Sequence, residues 1–133
     1  MTGMVHELLG AAAGTLTRSK TIAFISGIAT HVIADSIPHM DIDPRLDVPL
    51  SAALLYGISQ RYGTESTEFW GALGGTIPDA EHGTSMCGLG KPVFHTHVED
   101  GKYHGKQTES RLSQFLVAGF ALAVLAIAST NRK

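Results

Sequence analysis

The chain has 133 residues, a formal net charge of -2 with histidine neutral, and 44% apolar residues. That length makes one domain, 1–133, large enough to bury a core without disulfides, and the lone Cys87 excludes a disulfide framework. The ten Lys and Arg residues are scattered rather than gathered into a stripe, so nucleic-acid binding is not expected.

The first helix is expected from Met4 to Leu16, rich in Ala and Gly, with Gly10 and Gly14 four apart on a face that another helix can approach closely. It carries His6, which by itself reads as a partner of metal ligands more readily than as a ligand. Arg18-Ser19-Lys20 breaks this helix, and a second is expected over Thr21–Ala34. Pro49 then starts a third, Pro49 to about Arg61, with Asp47 as its N-cap and Leu50, Leu54, Leu55 and Ile58 at core spacing. Glu65 and Glu68 favour a fourth from Ser66 to Gly75, ending at Pro78, because acids stabilise the positive end of a helix.

From Asp79 to Lys106 glycines and prolines interrupt any period, so a long loop is expected, and its four histidines suggest that an ion orders it. The last helix, Ser110 to about Thr130, contains a 14-residue run, Phe115–Ala128, without a charge. That run approaches the roughly 20 apolar residues that span a bilayer, and a membrane-associated helix is expected there ahead of a central core helix. The N-terminus has neither a basic n-region nor an Ala-x-Ala site, so no cleavable secretory signal is expected and the location is membrane-associated or cytoplasmic. Together these elements give an all-α bundle of about five helices with a metal-ligating loop before the last.

The chemistry concentrates in His31-Val-Ile-Ala-Asp35-Ser-Ile-Pro38-His39-Met-Asp41. On a helix His31 and Asp35 stand one turn apart on one face. Pro38 cannot continue that helix, so His39 and Asp41 fall on the turn that leaves it. A second segment, Gly71-Ala-Leu-Gly74-Gly75-Thr-Ile-Pro78-Asp79-Ala-Glu81-His82, repeats the pattern: small apolar residues, then Ser/Thr-Ile-Pro, then ligand-type residues. The two read as helix ends delivering ligands to one pocket. A third cluster, Phe94-His95-Thr96-His97, puts two imidazoles on one side if extended. Neutral imidazole and carboxylate suit zinc, with manganese or iron as alternatives. Haem is disfavoured by the carboxylates interleaved with the histidines.

At His31-x3-Asp35-x2-Pro38-His39 the chain resembles the zinc-dependent phospholipase C superfamily. His6-Glu-Leu-Leu-Gly10 and Gly74-Gly75-x2-Pro78-Asp79-x2-His82, followed by His95 and His97, are more similar to a small bacterial family of membrane-bound metal-dependent hydrolases. The phospholipase pattern has more residues between its aspartate and next histidine, and the hydrolase pattern has an Arg-Gly element where this chain has only Thr96. The resemblance implies a helical fold with metal ligands on helix ends and hydrolysis of a phosphoester, with lipid among the candidate substrates. It aligns His31, Asp35 and His39 with one ligand set and Asp79 and His82 with another.

The enzyme reading is then metal-assisted hydrolysis. One ion on His31, Asp35 and His39 activates water, and a second on Asp79, His82 and His95 or His97 polarises a phosphoryl oxygen. Asp41 or Glu81 serves as general base. The competing reading is a non-catalytic module in which the same residues close a structural metal site.

Overall fold

The computed structural model describes residues 1–86, Gly88, Leu89, Lys91, Val93, Phe94, Thr108 and 110–130. Five helices follow one another: α1 (Gly3–Gly14), α2 (Lys20–Asp35), α3 (Pro44–Tyr62), α4 (Thr67–Met86) and α5 (Leu112–Thr130). The expected all-helical class holds, with no strand among the described residues. The expected ligating residues His95 and His97 lie outside them.

Glycine brings the central helices together. A Cβ at Gly71 would lie 2.1 Å from the Gly10 carbonyl oxygen, and one at Gly75 would lie 2.4 Å from the His6 carbonyl oxygen. Only hydrogen fits at such separations, so α4 lies backbone to backbone against α1 and, through Gly27 and Gly74, against α2. The close face anticipated at Gly10 and Gly14 is therefore where α4 packs. Around it, Ala11, Ala12, Ile58, Ala72, Ala121 and Leu125 form the apolar core.

Two helix boundaries differ from expectation by five residues or more. α3 begins at Pro44, not Pro49, because the Asp43 carboxylate accepts the Arg45 N–H at 2.9 Å and Pro44 supplies a first residue that needs no donor. Asp47 sits inside the first turn and accepts the Gly3 N–H at 2.9 Å instead of capping. α4 does not stop at Pro78; it continues to Met86, so Asp79 and His82 are helical rather than in a loop. Pro78 forfeits one backbone bond, to the Gly74 carbonyl. It is fully buried, and the close packing of α4 on α1 and α2 offsets that loss.

Candidate metal centre

The centre is built where α1, α2 and α4 meet. α1 supplies His6 near its start, α2 supplies His31 and Asp35 in its last turns, and α4 supplies Asp79 just after Pro78. One donor atom from each of His6, His31 and Asp79 falls within 4.8 Å of the others, close enough to share an ion. His6 and His31 stack with ring centroids 3.7 Å apart and both are fully buried. The Asp79 side chain is 29% exposed, so it is the member that meets solvent. Asp35 stands against the same pair, its Oδ1 3.0 Å from His6 Nε2 and its Oδ2 3.2 Å from His31 Nε2.

Hydrogen-bond chemistry at His31 favours a cation. Nδ1 lies 2.7 Å from the Gly75 carbonyl oxygen, an acceptor, so this nitrogen carries a proton and donates. Nε2 then faces the carboxylates of Asp35 at 3.2 Å and Asp79 at 3.7 Å, which are acceptors too. A neutral ring cannot donate from both nitrogens. Either the imidazole is charged or a metal ion lies between Nε2 and the carboxylates, and a carbonyl holding Nδ1–H is how proteins orient a ligating histidine.

His39 repeats this arrangement at the exit of α2. Its Nδ1 lies 2.7 Å from the Ile37 carbonyl oxygen and its Nε2 lies 3.1 Å from Asp41 Oδ1. The α-amino group of Met1 lies 3.0 Å from Asp35 Oδ1 and 3.3 Å from Asp41 Oδ1, so these two carboxylates flank one positive charge.

Electrostatics sorts the buried groups. Burial presses the His6 pKa down to about 4, against the opposing hydrogen bond that its ring donates to Asp35, which leaves the neutral imidazole that a metal requires. For Asp35 burial pulls upward, but hydrogen bonds from His31 and His6 outweigh it and hold the carboxyl well below the usual carboxylate range. Burial raises Glu7 to about 7, although Ser51 and Thr76 donate to its Oε1 at 2.5 and 3.2 Å. Asp47 is also raised by burial, in opposition to the Gly3 N–H that it accepts.

The expected residues are therefore distributed unevenly. His31, Asp35 and Asp79 converge, and His6 joins the cluster directly. His39 and Asp41 lie one step away, linked through Asp35 and the Met1 amine. His82 is half-buried one turn beyond Asp79 on α4 and is not within the 4.8 Å cluster. The Glu81 carboxylate accepts the backbone N–H groups of Val93 and Phe94, tying the segment after α4 back onto that helix. Asp41, the other expected base, is 44% exposed beside His39.

Glu7 is what sequence reasoning passed over. Its signal was a carboxylate next to His6 in a helix otherwise made of Gly, Ala and aliphatic residues. Such a group is excluded from an apolar interface unless partners are built for it. Comparison with protein-family models, with curated proteins and with solved structures finds no match to this chain.

Proposed function

We propose that the chain is a metal-dependent hydrolase whose ion, zinc before manganese or iron, is held by His6, His31 and Asp79 with Asp35 against both histidines. The observation that carries this reading is His31, buried between the Gly75 carbonyl on Nδ1 and two carboxylates on Nε2. Three ligands of this kind leave a position for water or substrate, the arrangement of catalytic rather than structural zinc. When bound, such an ion supplies a Lewis acid and brings the acidity of water near neutrality. The chain's own residues orient the centre: Gly75 fixes the His31 ring, Asp35 sets the two imidazoles, and the partly exposed Asp79 faces the approach. The phosphoester substrate follows from the motif resemblance, and association with a membrane from α5.

Metal analysis of the purified chain should find close to one zinc, and His31→Ala should lose most of it. With zinc bound, chelator-sensitive cleavage of a lipid, nucleotide or generic phosphoester is expected, and Asp79→Asn should lower turnover by about 100-fold or more through a weaker ligand charge. A folded chain that takes up no zinc refutes the reading. A cobalt-substituted sample with four protein ligands and no hydrolysis establishes instead the non-catalytic metal module.

A further inference from the structure

Beside the metal centre, between α1, α3 and α4, lies a cavity of about 450 Å³. That volume is within the roughly 300–1,000 Å³ typical of small-molecule sites. Val48, Ala52 and Leu55 of α3 and Leu89 make its apolar wall, and Asp79 joins it to the candidate ligand set.

Its charged groups are all of one sign, and the hydroxyls of Ser51 and Thr76 already donate to Glu7. Glu7 and Asp47 line it with Asp79, and among the described residues the lining holds no Lys, Arg or His. Glu7 is fully buried, its Oε1 takes the hydroxyls of Ser51 and Thr76, and its Oε2 has no hydrogen-bond partner. A buried carboxylate oxygen without a partner, on the wall of a ligand-sized cavity, is costly unless something that enters the cavity satisfies it. An anion entering there would lose its water and meet three carboxylates. A group that brings N–H or O–H donors would meet acceptors.

We infer that this cavity binds the organic part of the substrate, and that this part is an apolar body carrying an uncharged or cationic hydrogen-bond donor such as an amide, hydroxyl or ammonium group. The inference rests on the hydrolase reading for the word substrate, but not for binding itself. In that arrangement the scissile group faces Asp79 and the ion, while the donor-bearing body lies against Glu7 and α3.

Three probes with one body and different heads test it: cyclohexylamine, cyclohexanecarboxamide and cyclohexanecarboxylate. Each is titrated into the full chain at about pH 8.5, where the Glu7 and Asp47 carboxyls are ionised, zinc-free and zinc-loaded, and followed by backbone amide shifts of Ala52, Leu55 and Thr76. In the zinc-free chain the ammonium and the amide should bind, and the carboxylate about tenfold or more weaker, since a desolvated charge without a partner is strongly disfavoured. Ala52→Phe, at an exposed position of α3, should abolish binding by filling the cavity. Glu7→Gln should weaken the ammonium much more than the amide; if that variant does not fold, Asp47→Asn should do so to a lesser degree.

Equal binding of the carboxylate in the zinc-free chain, no binding of any probe, or binding unaffected by Ala52→Phe overturns the inference. Zinc content measured on the same samples separates the two readings. A chain that takes the amide but no zinc keeps the cavity and loses the hydrolase, and one that takes zinc but no probe does the reverse.

Discussion

At the scale of single residues, His6 and Glu7 are neighbours in sequence whose burial has opposite consequences. In the folded, metal-free chain His6 titrates at about 4 rather than 6.5 and Glu7 at about 7 rather than 4.5. Between about pH 5 and 6 the unfolded chain therefore carries nearly one proton on His6 and nearly none on Glu7, and the folded chain nearly none on His6 and nearly one on Glu7. For His6 the unfolded state binds more protons, so its contribution to stability rises with pH through this window. For Glu7 the folded state binds more, so its contribution falls. The two slopes oppose each other and nearly cancel.

Glu7→Gln removes one of them. Relative to wild type, the stability of this variant should gain about 1.4 kcal/mol per pH unit as pH rises over the same window, read from urea midpoints in the presence of a chelator. Parallel profiles for the two proteins would show that the Glu7 carboxyl is not held protonated by the fold. With metal bound, the variant and wild type should both lose stability more steeply in acid, because protons compete for the imidazoles.

At the scale of elements, glycine decides which helices touch. In an exposed helix interior Gly→Ala gains about 1 kcal/mol from backbone propensity. Gly57 on α3 has open space where its Cβ would lie, so Gly57→Ala should show that gain as a higher Tm. Gly71→Ala should do the opposite, with a net loss of about 1–3 kcal/mol, since its methyl would meet the Gly10 carbonyl at 2.1 Å and push α4 off α1. Because His6 and Asp79 sit on those two helices, zinc affinity should fall with it. A Gly71→Ala protein as stable as the Gly57→Ala protein would contradict the backbone-to-backbone packing.

The same packing explains what could and could not be read from the string of residues. Helix count and class were legible, because small and apolar residues recur at helical spacing between Ser, Asp and Gly boundaries. His31 and Asp35 were legible as a pair, since one turn of α2 places them together. The repeated Ile-Pro pattern put Asp79 at one pocket with them, but His6 read only as a partner of the ligands, because nothing in local spacing says that α1 crosses α2 at this point. Ser-Ile-Pro38 and Thr-Ile-Pro78 look alike, yet α2 ends before the first and α4 runs through the second. At Pro38 the Ala34 carbonyl finds the Ile37 N–H in a tighter turn at 3.1 Å and the chain leaves. At Pro78 the glycines of α4 lie against two helices, and tertiary contact overrides the local stop signal.

At the scale of the whole molecule, large side chains are placed against the usual pattern. Among the described residues, the largest fully buried side chains are His6, His31, His39, Glu7, Glu68, Asp35 and Pro78, whereas Phe115, Leu116 and Phe120 of α5 are each at least 65% exposed. Ionisable groups gather at the centre, small residues mediate helix contact, and the big apolar side chains point outward. That distribution suits a chain with lipid as part of its surroundings, since helices in a bilayer pack through small residues and keep ionisable groups facing the interior.

Among the described residues, α5 is the helix long and apolar enough to meet the length requirement. It has 19 residues, a mean hydropathy of 2.1 over its most apolar window, and only 17% of that window is buried. At 1.5 Å per residue it is about 28 Å long, close to the roughly 30 Å hydrocarbon thickness of a bilayer. The expected outcome is that the chain stays with membranes through alkaline carbonate extraction. Replacing Leu116 and Phe120 together by Glu should release it, because each charge in the hydrocarbon region costs about 2.5–3.5 kcal/mol. Both side chains are mostly exposed, so the helical body and its zinc content should survive the change. A wild-type chain recovered in the supernatant would instead assign the apolar face of α5 to contact with protein rather than with lipid.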